Sequence, residues 1–170
     1  MQRRAFTLVE VAVVILIMGI MAGAVTLRLA SPMHRAGLAT AVAEIGSFDH
    51  LTRTQAREAD RPMRLVIDLA EGRLLRTTEE GDPLGTTFAL PSGYRLARLL
   101  VADRTIYSGS TSLCCSRLGA TPTYAVLVEA PDGQKRWVLV AGLTGQTMES
   151  DDEKEVQGIL DAARPRGDAR

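Results

Sequence analysis

Arg3-Arg4-Ala5-Phe6-Thr7-Leu8-Val9-Glu10 opens the chain, and the run from Val11 to Leu27 that follows has no charge, no proline and only Thr26 as a polar side chain. A bilayer core needs about 20 mostly apolar residues, each adding about 1.5 Å of helix. Residues 6–27 therefore predict a membrane-spanning helix. Glu10 is the residue to explain, because a charge in hydrocarbon costs about 2.5–3.5 kcal/mol even on the lenient insertion scale. Arg3, Arg4 and the free amino terminus precede the run and Arg28 follows it. The positive-inside bias then predicts a cytoplasmic N-terminus and an exported C-terminal domain. An ordinary secretory signal fits poorly. Its apolar region is about 7–15 residues long and ends in a small-residue cleavage site, whereas the small residue here, Ala5, stands before the run.

Ala5-Phe6-Thr7-Leu8-Val9-Glu10 resembles the class III signal of type IV pilins and type II secretion pseudopilins. The resemblance implies cleavage between Ala5 and Phe6 by a prepilin peptidase, N-methylation of Phe6, and retention of the apolar helix. Ala5 stands where that family most often has glycine. Glu10 occupies the position at which the family pairs a carboxylate with the amino terminus of a neighbouring subunit during filament assembly. The physical logic agrees, since a buried carboxylate is tolerable when an opposite charge meets it.

The chain has 170 residues, which leaves room for one modest domain beyond the helix. Lys+Arg and Asp+Glu are equal at 20 each, so the overall charge does not point to nucleic acid. Two adjacent cysteines, Cys114 and Cys115, offer neither the spaced thiols of a zinc site nor a multi-bridge framework. In an oxidising compartment they can form a strained vicinal disulfide, pair between chains or stay reduced.

After the apolar run, Pro32 predicts a kink or break. Leu38, Ala41, Val42, Ile45, Phe48 and Leu51 then recur at three- and four-residue steps, while Arg35, Glu44, Asp49, Arg53 and Arg57 populate the rest. That is one apolar face of a second, amphipathic helical segment, ending near Asp60-Arg61-Pro62. Gly19 and Gly23 form a small-xxx-small pair that suits close helix packing, although apolar helices often carry glycine.

Beyond Pro62 the period changes to two. Residues 63–69 and 73–77 read as a hairpin around Ala70-Glu71-Gly72-Arg73. Glu79-Glu80-Gly81-Asp82-Pro83 reads as a polar loop. Residues 88–90, 94–101 and 105–107 are short strand candidates, and residues 108–121, rich in Ser, Gly and Thr, read as a loop holding both cysteines. Residues 124–129 and 136–141 flank Pro131-Asp132-Gly133, the clearest hairpin signal. The chain thus divides into a leader, residues 1–5; a helix, 6–61, with 6–27 in the membrane; a β-rich domain, 62–148; and a charged, flexible tail, 149–170. In that tail Val156, Ile159 and Leu160 can share one face of a short helix, and Asp151-Asp152-Glu153 reads as a solvated charge run.

The fold class is α+β: a long N-terminal helix followed by an antiparallel sheet. With Arg61-Pro62-Met63-Arg64-Leu65, Tyr107-Ser108-Gly109-Ser110, Trp137-Val138-Leu139-Val140 and Leu143-Thr144-Gly145, it is similar to the minor pseudopilin of H type and related minor pilins. No clustered Asp/Asn loop stands out of the kind a calcium-binding major pseudopilin carries.

Catalytic signals are thin. His34 and His50 have no Ser, Cys or metal-ligand partner in motif spacing, and no phosphate loop or dinucleotide fingerprint occurs. Ser108-Gly109-Ser110 lacks the strand–nucleophile–helix setting of a hydrolase elbow. The expectation is a structural subunit without enzymatic activity or cofactor. The resemblance implies a single-pass protein of a bacterial inner membrane with a periplasmic domain. Its implied partners are the prepilin peptidase, other pseudopilins and an inner-membrane assembly platform. A minor pilin of a type IV pilus or DNA-uptake apparatus is the nearest alternative, and a basic strip including Arg95, Arg98 and Arg104 would favour it. A membrane-tethered ligand-binding module is a further alternative.

Overall fold

Ala, Leu, Met and Arg recur through the first part of the chain and favour helix, and the first element of the computed structural model is a 51-residue helix, α1 (Leu8–Glu58). The structure describes residues 8–101 and 104–164, and for residues 23–35 the backbone only. The expected single long helix is present, without a break at Pro32. Helix α1 continues through it, because a proline removes a single backbone hydrogen bond while good helix formers on both sides propagate the rest.

Two units divide the chain, Met1–Ala36 and Gly37–Arg170. In the first, the described side chains of α1 are apolar apart from Glu10, and Leu8, Ile15, Leu16, Met18 and Ile20 are all exposed. Among the described residues no helix is long and apolar enough to cross a membrane. The side chains described in the apolar run extend only from Leu8 to Ala22, so the predicted span of residues 6–27 lies partly outside them.

The second unit packs two antiparallel sheets against the remaining part of α1. One sheet has the order β3-β2-β1-β6, built from β1 (Met63–Asp68), β2 (Arg73–Thr77), β3 (Phe88–Ala89) and β6 (Ser110–Cys115). The other has the order β5-β4-β7-β8-β9, from β4 (Arg95–Val101), β5 (Arg104–Ile106), β7 (Tyr124–Glu129), β8 (Lys135–Val140) and β9 (Thr147–Ser150). Turn chemistry sets both predicted hairpins. Asp68 Oδ1 accepts the N–H groups of Ala70 and Glu71 at 3.0 Å, and Gly72 takes φ 61°. At the second, Asp132 Oδ1 accepts the Gln134 N–H at 3.1 Å and Gly133 takes φ 83°. Both are side-chain mimics of a backbone turn followed by the one residue that enters left-handed space without strain.

Leu38, Ala41, Val42, Ile45 and Phe48 of α1 meet Leu65, Ile67, Leu74 and Leu113 of the first sheet and Leu99, Val126, Val128, Val138 and Val140 of the second in one core. The buried stripe departs from the expected one at its far end. Leu51 is 49% exposed, and the face continues through Asp49, Thr52, Arg53 and Ala56, all buried.

Two further expectations change. Residues 110–115 form strand β6 rather than loop, paired with β1 over six residues from Met63↔Cys115 to Asp68↔Ser110. Only Leu113 and Cys115 of that strand are buried, so its apolar alternation is too sparse to register as a strand. The tail is ordered through helix α2 (Glu153–Ala162), whose Val156 and Leu160 are buried with Trp137, Leu139, Leu127, Ala125 and Leu100. That helix covers the second face of the five-stranded sheet, which explains why Tyr124 to Val128 are buried without alternation. The Asp151-Asp152-Glu153 run is not simply solvated. Asp152 caps α2 by accepting the Lys154 N–H at 2.8 Å, Asp151 pairs with Arg136 at 2.9 Å, and Glu153 pairs with Arg98.

Leu160→Ala in the full chain is expected to cost about 2–5 kcal/mol, whereas Lys154→Ala on the exposed face of α2 changes stability by about 0.5 kcal/mol or less. Denaturant titration followed through Trp137, the chain's single tryptophan, checks this. Equal effects of the two changes would mean that α2 is not docked.

Candidate functional site

Ala5 and Phe6, the predicted cleavage and methylation residues, lie outside the described residues. Glu10 is described, in the first turn of α1, with its side chain exposed on the isolated chain. It shares that segment with an apolar surface that includes Val9, Val13, Val14 and Ile17, each 47–69% exposed. An exposed apolar patch of this extent on a helix marks a surface that functions covered, by lipid or by protein.

A second polar constellation sits inside the globular unit, built on Asp49 and Arg53, two residues that the helical period sets off the apolar face of α1. Arg53 is 2% exposed and Asp49 1%. Their i,i+4 spacing brings Arg53 Nε to 2.5 Å from Asp49 Oδ2. Arg53 Nη1 donates to the carbonyls of Gly119 at 2.9 Å and Gly142 at 2.6 Å, and Nη2 to Thr121 Oγ1 at 2.5 Å. Tyr124, wholly buried at the start of β7, donates its hydroxyl to Asp49 Oδ1 at 3.0 Å. Every charge in the set is thereby neutralised and hydrogen-bonded, the condition under which a buried ion pair is tolerated.

The partners are supplied by the β6–β7 and β8–β9 connections, and glycine is required at both. Gly119 takes φ 79°, and a Cβ at Gly142 would lie 2.2 Å from the Thr121 carbonyl oxygen. The signal available in the sequence was an Asp and an Arg four apart, adjacent to the apolar stripe at Phe48. That spacing is equally common in exposed helix pairs, so it does not by itself reveal burial. Burial and the Asp49 carboxylate push the Tyr124 hydroxyl well above the ordinary tyrosine range.

Cys114 and Cys115 are both free. Successive strand residues point to opposite faces, so Cys114 is exposed and Cys115 buried. Burial pushes the Cys115 thiol up, toward its protonated, unreactive form. Arg95 and Arg98 do not make a free basic strip. Arg95 pairs with Glu129 at 2.9 Å, and Arg98 pairs with Glu153 while stacking over Trp137 and Tyr107. Arg104 is exposed on β5. His50 is exposed on α1, and the side chain of His34 lies outside those described. Among the described residues no cluster of three or more His, Cys, Asp or Glu could hold a metal ion.

Residues 1–26 match the family model of the prokaryotic N-terminal methylation motif. No curated protein matches the chain. Among solved structures the chain is similar to the minor pseudopilin EpsH from the Type 2 Secretion System of Vibrio cholerae. The TM-score is 0.50 and the identity 14%, over 66% of this chain and 94% of that one. The expected architecture, an N-terminal helix followed by antiparallel sheets, is thus that of a pseudopilin.

Removing one partner of the buried pair, as in Asp49→Ala, is expected to cost about 3–5 kcal/mol, and the double change Asp49→Leu with Arg53→Met less than the sum of the two single losses; a denaturation double-mutant cycle measures the coupling, and additivity would contradict it. The raised hydroxyl of Tyr124 contributes stability that is fully present below the unfolded tyrosine pKa of about 10 and is lost as pH climbs from there toward the folded value. Alkaline melting curves of the wild type should therefore fall more steeply above about pH 10 than those of Tyr124→Phe, and identical slopes would count against that assignment.

Proposed function

We propose that the chain is a minor pseudopilin: a non-enzymatic subunit that, after removal of residues 1–5 and methylation of Phe6, enters the periplasmic filament of a type II protein secretion system. One observation carries the reading. An N-terminal methylation motif over residues 1–26 is joined, in the same chain, to a pseudopilin-like fold. The motif supports processing by a prepilin peptidase and anchoring through the N-terminal helix in the bacterial inner membrane. The positive-inside bias supports a cytoplasmic N-terminus and a periplasmic C-terminal domain.

In this reading the apolar surface of α1 has two successive partners. Lipid covers it in the anchored subunit, and helices of neighbouring subunits cover it in the filament. Glu10 is compensated in the second state by the methylated amine of Phe6 on a neighbour, and the assembly platform moves the chain from one state to the other. Attraction between two opposite charges in a low-dielectric environment is strong when both are held, and the loss of either leaves the other buried and uncompensated. The DNA-uptake alternative draws less support, since two of the three arginines it needs are engaged in ion pairs within the chain.

Glu10→Ala is expected to leave membrane insertion and cleavage intact while reducing subunit–subunit cross-linking through α1 by about tenfold or more, the size of a lost compensated charge. Ala5→Gly, restoring the residue most common in the resembled family, should be processed at least as fast as the wild type. Normal cross-linking in Glu10→Ala would remove the assembly role of Glu10, and loss of cleavage in Ala5→Gly would remove the assignment of the cut site.

A further inference from the structure

The two sheets leave four edges, and they are not alike. Strand β3 has two residues, β5 three, and β9 four including Glu149, which pairs with Arg136 at 3.0 Å. Short or charged edges are the usual protection against unwanted strand pairing. Strand β6 has none of these protections. Its six residues, Ser-Thr-Ser-Leu-Cys-Cys, contain no charge and no proline, and its register with β1 runs without a shift.

The Leu69 N–H donates to the Gly109 carbonyl at 2.9 Å, which sets the alternation of the antiparallel ladder. Thr111, Leu113 and Cys115 direct their backbone groups to β1, and Ser110, Ser112 and Cys114 direct theirs outward. The next outward residue follows the same phase, the Ser116 N–H donating to Ala120 O at 2.8 Å. For Ser110, Ser112 and Cys114 no backbone partner is found among the described residues.

This open edge borders a groove of about 1410 Å³, larger than the roughly 300–1,000 Å³ of small-molecule sites. Ser112 and Cys114 line it from β6, while Pro122 and Leu143 line it from the connections after β6 and β8. The groove is thus bordered by β6 on one side and by the two connections on the other. The charged residues among the described lining are Arg104 and Arg164, the latter 3.5 Å from Asp161. Both are cations, which fits an occupant carrying a carboxylate.

We infer that β6 accepts an extended segment of another polypeptide as a fifth strand of its sheet, uncharged along β6 and bearing an acidic residue that meets Arg104. Main-chain hydrogen bonds to Ser110, Ser112 and Cys114 would give such binding its affinity, and the groove wall and Arg104 its selectivity.

The test uses the full chain in nanodiscs and a synthetic peptide of alternating valine and threonine with a terminal glutamate. Expected are peptide binding and slowed amide exchange at Ser112 and Cys114. Ser112→Pro removes an outward N–H that the β1 ladder does not use, so the melting temperature should hold while binding weakens by about tenfold or more from the lost hydrogen bond and the ring's bulk. Ser112→Lys, which keeps the backbone unchanged, should also weaken binding, and Arg104→Glu should reverse the preference to a lysine-ended peptide. Binding unchanged in both Ser112 variants, protection elsewhere than Ser112 and Cys114, no binding at millimolar peptide, or self-association through β6 in place of peptide binding would each overturn the inference.

Discussion

The buried contact between Asp49 and Arg53 is the constraint on which the globular unit depends. A guanidinium and a carboxylate have been taken out of water there, and only complete hydrogen bonding makes that tolerable. The completion comes from Tyr124, Thr121 and the carbonyls of Gly119 and Gly142, so α1, the start of β7 and two connections are fixed relative to one another by one set of bonds. Apolar packing along Leu38 to Phe48 supplies area without direction. The ion pair supplies the register, because sliding α1 by one turn would strand a charge. Arg76 shows the contrast. It is also buried, but it is stacked on the Phe48 ring at 4.8 Å, with Nε and Nη1 lacking a hydrogen-bond partner, and burial lowers its pKa. It adds bulk and a cation–π contact without organising the loops around it.

This arrangement separates two jobs within a single helix. Residues 8–22 present exposed apolar side chains and one acid, Glu10, to whatever surrounds them, lipid or neighbouring helices. Residues from Gly37 onward are committed to an internal core. The proposed function needs that division, since a filament subunit must exchange partners on one surface while its folded domain stays unchanged. Helix α2 extends the same logic to the far face of the five-stranded sheet, burying Val156 and Leu160 against Trp137.

Much of this was legible in the residues. The hairpins at Gly72 and Gly133 follow from local turn chemistry, and the signal at Ala5, Phe6 and Glu10 is a pattern of residue types that needs no structure. What was not legible depended on distant parts of the chain. Asp49 and Arg53 read as solvent-facing because their partners lie 66 to 89 residues away. Strand β6 read as loop because Ser, Thr and Cys carry a weak apolar alternation, and it becomes a strand by pairing with β1. The tail read as loose because three apolar residues in a charged stretch have no evident surface to meet, and that surface is the outer face of β7 and β8. Helix continuity through Pro32 is a matter of cooperativity, which a single-residue rule does not see.

The central claim is that the N-terminus is an assembly device and not merely an anchor. The mass of the mature amino terminus, measured on protein purified from cells that carry a prepilin peptidase, tests it most directly. A chain beginning at N-methylated Phe6 is the predicted result. A chain retaining Met1, or one cut beyond the apolar run, would contradict it.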